Sequence, residues 1–375
     1  LKPWEFWNIA GRVGRTLEDS LGIIQFSTTN KDQLDKIQEF LDRDNSQISS
    51  TLWEALNFFK EKQNIYFSLN TIDRFKALSA FLQYIVHALS ISGKDSIRSE
   101  LEGVLRASFI YQEAKNVDPQ LADDLIKMAR LYVDELERKK GNSLNGYAKL
   151  ADGTGFSSPS VDILWSKWRV PQNKKTWTPE ELFPNNNEPS PILTQIIETL
   201  KTIPEIHLGT EVQGEFNAER IARITDAWVN GTPLIQLAER EYKGDLLKCT
   251  HHIYGTVTSS IPWGLRAIEK VAFAGEKEIS WEQLDLLPAM IYHGVKSKEA
   301  IALRMLNVPR LVAEGLANQW RKTEDVSLSK AADWLKNTSN KEWNEAIPLN
   351  SPITGEECKR LWEILEGERS WEEVF

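Results

Sequence analysis

The chain has 375 residues, 41% hydrophobic and 26% charged, which is normal for a globular protein and enough for two to four domains. No apolar run approaches the roughly 20 residues of a membrane span. No secretory signal is visible, and two cysteines, Cys249 and Cys358, exclude a disulfide scaffold and point to a reducing, cytoplasmic compartment. A net charge of −9 argues against nucleic acid, yet the charge is unevenly placed. Residues 296–322 hold six Lys/Arg and two Glu, whereas 323–375 hold six Lys/Arg and twelve Asp/Glu. A basic module thus precedes an acidic tail, and the local field decides where a phosphate backbone settles.

In chain order, the first feature is Asn8-Ile9-Ala10-Gly11-Arg12-Val13-Gly14-Arg15, after an aromatic lead of Trp4, Phe6 and Trp7. Glycines let backbone approach phosphate, and arginines three apart can each fork onto phosphate oxygens. The alternative is a Gly-rich turn carrying two surface arginines. Ile23-Ile24-Gln25-Phe26 reads as a short buried strand.

Beyond it the spacing predicts helices at 31–42, 50–63, 74–92, 95–114, 119–139, 143–151, 159–168, 190–203, 217–230, 233–241, 245–257, 262–273, 281–293, 297–306, 309–320, 327–337 and 354–366. Asp118-Pro119 and Thr178-Pro179-Glu180-Glu181 are helix starts, with a capping side chain followed by Pro in the first turn. The proline- and asparagine-rich stretch 170–191 reads as a loop between helical blocks. Cys249, His251 and His252 lack the spacing of a metal site, so no metal ligand is assigned.

The Gly-Arg run resembles motif VI of superfamily 2 helicases of the DExH class, in which two arginines at this spacing act as arginine fingers. Asp226-Ala227-Trp228-Val229-Asn230, then 234–242 and Gly244-Asp245-Leu246, resemble the ratchet domain of Ski-like and archaeal Hel-type helicases. There a helix lies across the translocating strand with a basic residue and a stacking tryptophan. Lys248 takes the basic position. The tryptophan position falls at Gly255, with Tyr254 beside it and Trp263 at the next helix. Ordinary helix packing is the alternative for both aromatics. Residues 292–316 resemble a helix-hairpin-helix whose turn is Asn307-Val308-Pro309, with Arg310 as a phosphate ligand. The alternative is a hairpin used only for packing. Residues 75–112 resemble a winged-helix module.

The resemblance implies a mainly α fold: the end of a second RecA-like α/β domain (1–30), linker helices and a winged-helix-like module (31–117), a helical ratchet domain (118–275) and a helix-hairpin-helix (276–322). An acidic, Trp-rich extension (323–375) has no counterpart in the family and either folds back onto the hairpin or docks on a partner. The implied activity is ATP-dependent unwinding or translocation of single-stranded or partly duplex DNA, with RNA as the alternative, and a non-catalytic helical adaptor as a further one. Arg12 and Arg15 would be catalytic, with Gly11 beside the ATP; Lys248, Tyr254, Trp263, Arg304 and Arg310 would touch nucleic acid. ATP and Mg2+ would be held mostly by the other RecA-like domain. Its Gly-Lys-Thr loop and DExH run do not occur in this sequence, which begins with Leu as a fragment or processed chain would. Helicases of this kind also serve DNA repair and anti-phage defence, including systems such as Hachiman, which implies a nuclease-like protein partner.

Overall fold

The computed structural model describes residues 31–42, 55–56, 58, 67–169, 177–185, 188–206, 208, 217–275, 281–320, 327–349, 351 and 353–366. Gly11, Arg12, Arg15 and the strand expected at 23–26 lie outside them. The chain divides into two compact units, Leu1–Ile65 and Tyr66–Phe375. In the first, helix α1 (Lys31–Asp42) matches its amphipathic spacing.

The second unit begins with α2 (Leu69–Arg74), capped by the Ser68 hydroxyl. The long α3 (Lys76–Ala107) follows. Leu78, Leu82, Ile85, Val86 and Leu89 recur at helical spacing and are buried, and Ile97, Leu101 and Leu105 continue the stripe. Two helices are predicted here, and the structure joins them across a kink at Gly93, where φ is +73°. Ser108 ends α3 and caps α4 (Phe109–Val117), accepting from Tyr111 N–H. The winged-helix expectation gains no wing: residues 67–117 hold helix and turns, and no strand occurs among the described residues.

Asp118 caps α5 (Pro119–Lys140) with proline in the first turn, as the Asp-Pro pair predicts. Helices α6 (Leu144–Thr154) and α7 (Ser158–Trp168) pack back on α3. Glu205 fastens this block: its carboxylate accepts from the hydroxyls of Ser79 (2.9 Å), Ser157 (2.6 Å) and Ser160 (2.6 Å). Within the expected loop, Thr178 caps one helical turn, α8 (Pro179–Leu182).

The next block comprises α9 (Pro191–Leu200), α10 (Ala218–Val229), α11 (Leu234–Glu241) and α12 (Leu246–His252). A π turn (Ile253–Val257) leads into α13 (Ser260–Ala272). Helix α13 is the hub, touching α6, α7, α9 and α14 (Trp281–His293). Its buried face includes Ile261, Leu265, Ile268 and Val271.

Helices α15 (Lys298–Met305) and α16 (Arg310–Trp320) form the hairpin. The tail forms α17 (Leu328–Lys336), α18 (Asn340–Ala346) and α19 (Gly355–Leu365), and it folds back onto that hairpin. Trp334 lies 6.1 Å from Trp320, and buried Trp343 lies 5.7 Å from Trp362. Gly315 has no room for a Cβ, which would land on the Ala346 carbonyl. Helix α18 is absent from the predicted elements, because only a Ser339–Glu342 capping box marks its start and it is two turns long.

Gly294 joins α14 to the hairpin at φ +67°, and a Cβ there would lie 2.5 Å from Trp228 Cε2 and 2.6 Å from Arg310 Cδ. Gly294→Ala is therefore expected to cost roughly 2–4 kcal/mol through clash and backbone strain together. Urea unfolding measures it, and a loss below about 1 kcal/mol would contradict the packing described.

Candidate nucleic-acid interface

The site grows from α10. Asn217 caps the helix, and the spacing of Ile221, Ile224, Thr225 and Trp228 buries one face. Asp226 and Asn230 act within the fold. The Asp226 carboxylate accepts from Asn185 N–H (3.2 Å) and Asn230 Nδ2 (3.0 Å), and burial raises its pKa. Trp228 Nε1 donates to Ile291 O (2.8 Å), tying α10 to α14.

Arg310 covers the Trp228 ring, with its guanidinium carbon 4.0 Å from the centroid. It donates to Trp228 O (2.9 Å) and Thr232 O (2.7 Å). Burial pulls its pKa down to about 10, so it stays charged at neutral pH. Expected on a phosphate, Arg310 instead clamps the hairpin to α10.

Tyr254 meets the Trp228 edge at 5.9 Å and is 55% exposed. It stands on the π turn, an irregularity that lifts side chains off the regular helical path. Tyr292, at the end of α14, is 60% exposed and lies edge-on to His293 at 4.8 Å. Burial lowers the pKa of the Arg304 guanidinium, and both tyrosines lie within electrostatic reach of it. Arg304 Nη1 donates to Val308 O, whereas its buried Nε has no hydrogen-bond partner among the described residues. A buried, unused guanidinium N–H is costly, and an acceptor from a ligand would remove that cost. Two exposed aromatic rings beside such a guanidinium suit a strand whose bases stack while an oxygen meets the arginine.

The structure thus joins Tyr254 with Arg304, residues from two expected modules. It places the other candidates elsewhere. Lys248 lies in the first turn of α12, its N–H on the Asp245 carboxylate (2.9 Å). Trp263 packs on Phe156 at 4.7 Å and donates to Thr154 O (2.9 Å). Gly255, at the family's tryptophan position, faces open space: a Cβ there meets nothing within 4 Å. Tyr292 and Trp228 are members that sequence reasoning did not assign. Tyr292 opens the hairpin lead, and its place at a helix end is the available signal.

The hairpin turn itself differs from the expected phosphate cradle. The N–H groups of Leu306 and Val308 donate to Leu303 O (3.0 and 3.1 Å), and Asn307 N–H donates to Arg304 O (3.1 Å). Pro309 has none. The tail closes over the turn: Trp362 Nε1 donates to Leu306 O (2.9 Å), and Asn307 Nδ2 donates to Glu366 Oε1 (3.1 Å).

No protein-family model matches the chain, and no curated protein or solved structure matches it.

His252 hydrogen-bonds Tyr242 through Nδ1 (2.6 Å), and burial, aided by Arg220 and Lys248, lowers its pKa from 6.5 to about 4. Between these values the unfolded chain binds the extra proton, so this contribution to stability is complete above pH 6.5 and is lost as pH falls toward 4. The stability difference between wild type and His252→Phe should shrink across that window in denaturant titrations. A pH-independent difference would rule out a buried neutral imidazole.

Proposed function

We propose that the chain is the C-terminal portion of a superfamily 2 DExH helicase of the Ski-like and archaeal Hel type, an ATP-dependent enzyme that moves along single-stranded DNA. In this reading residues 1–30 end the second RecA-like domain, and the helices over 69–117 stand where the family has its winged helix. The helices from 118 to 275 are the ratchet domain. The observation that carries the reading is the joining of exposed Tyr254 and Tyr292 with the unused N–H of Arg304, beside the position where the family stacks a base. Contact with the strand then falls on these side chains and not on the backbone of the hairpin turn, whose donors are spent.

Arg12 and Arg15 would meet the γ-phosphate of an ATP–Mg2+ held by the first RecA-like domain, stabilising the charge that develops during hydrolysis. Cleft closure would advance the strand past Tyr254. Anti-phage defence with a nuclease-like partner, or DNA repair, is the setting such a motor would serve.

Oligothymidine binding to this chain, followed by fluorescence anisotropy, tests the interface. Tyr254→Ala is expected to weaken binding by about five- to a hundredfold, the worth of one base stack. Arg304→Gln should weaken it and flatten its salt dependence. Unchanged affinity in both variants would remove the site, and stronger binding of oligouridine would favour an RNA motor. In the motor completed with its phosphate-loop domain, Arg15→Ala should abolish ATP hydrolysis and leave strand affinity within about twofold. Normal turnover would overturn the role of the arginine.

A further inference from the structure

A second site lies where α3 crosses α6. A cavity of about 270 Å³ opens there, lined by residues 80, 83, 84, 86 and 87 of α3 and by residues 151, 152, 155 and 156 at the end of α6. Its α3 wall follows from periodicity. Ala80, Gln83, Tyr84 and His87 stand at i, i+3, i+4 and i+7, so a single stripe faces the cavity. That stripe is mixed, where the opposite face of α3 is apolar and buried. Ala80, Val86, Ala151 and Phe156 supply apolar walls, and Gly155 adds bare backbone.

The polar groups are held in place. Asp152 Oδ2 accepts from Ser90 Oγ (2.8 Å), and its Oδ1 pairs with His87 Nδ1 (3.0 Å). A carboxylate opposite Nδ1 favours a proton on that nitrogen. Nε2 makes no hydrogen bond among the described residues. Gln83 donates to Ser79 Oγ (3.4 Å) and keeps its amide oxygen for another partner. No Lys or Arg lines the cavity, and Asp152 is anionic, so a phosphate is disfavoured inside. The volume falls below the roughly 300–1,000 Å³ of pockets for drug-sized ligands, which suits one planar ring system. Tyr84, 37% exposed, offers a ring at the rim.

We propose that this cavity binds a nucleobase bearing an exocyclic amino group, as adenine and cytosine do. The amino group would donate to the Asp152 carboxylate, with the ring against Tyr84 and the apolar wall. Uracil and thymine turn a carbonyl toward the same carboxylate, acceptor against acceptor, and are rejected. The base comes from a free nucleoside or from an unstacked position in a strand. The inference uses none of the residues of the Tyr254–Tyr292–Arg304 face.

The test is titration of the full chain with cytidine, uridine and a short oligocytidine, following the His87 imidazole resonances by NMR. Cytidine is expected to shift them and to bind at least about tenfold tighter than uridine, the worth of a hydrogen bond to a charged group. Asp152→Asn should erase that preference. Asp152 is about one-third exposed and an amide there can still accept from Ser90, so thermal unfolding of the variant should stay near wild type. Cytidine binding identifies a free nucleoside as a ligand; a response to oligocytidine alone identifies a strand-borne base. No shift with either ligand at about 10 mM, equal affinity for uridine, or an unchanged preference in the Asp152→Asn variant overturns the proposal. Arg304→Gln should leave the cytidine titration unaltered, so failure of the strand-binding face and failure of this cavity read out separately.

Discussion

The clamp on Trp228 is the interaction on which the second unit depends. One indole is held by Ile291 O at its nitrogen, by the Arg310 guanidinium on its face and by Tyr254 at its edge. Arg310 then bonds the carbonyls of Trp228 and Thr232, so α10, α14 and α16 meet at one half-buried cation. A desolvated guanidinium is costly unless its donors are used and its charge is met by a π face. Here both conditions hold, and Gly294 supplies a close approach that permits them. The exposed Tyr254 and Tyr292 are positioned by this clamp: one rests on its edge, the other follows Ile291 in α14.

The same chemistry divides the two hairpin arginines. Arg310 starts a helix facing the carbonyls of Trp228 and Thr232 at the end of α10, and it donates to both. Arg304 sits on the other arm, bonds Val308 O and retains an unused buried N–H. Residue type marks both as nucleic-acid contacts; the geometry leaves one with capacity for a ligand.

The acidic tail illustrates how charge counts mislead. Glu342 and Glu357 are consumed as capping-box partners, and Glu356 pairs with Arg360. The tail's tryptophans supply its hold on the hairpin, through burial of Trp343 and the Trp362–Leu306 bond. Its placement closes the turn that a helix-hairpin-helix would open to phosphate.

The sequence by itself determined the helical class and most helix bounds. The apolar stripes of α3, α5 and α10 have the 3.6-residue period, and Ser108, Asp118, Thr178 and Asn217 cap where their side chains can reach the next free N–H groups. It also marked Tyr254 and Arg304 as residues of interest. Only the tertiary structure decided which of the marked residues meet. Helix packing brings Tyr254 and Arg304, fifty residues apart, within electrostatic reach, while Trp263 turns to Phe156 and Arg310 is half-buried on Trp228. It likewise decided that His87 finds Asp152 across α3 and α6. Local spacing encodes which face of a helix is apolar; it carries no information on which distant carbonyl, ring or carboxylate that face will meet, because that depends on how whole helices cross.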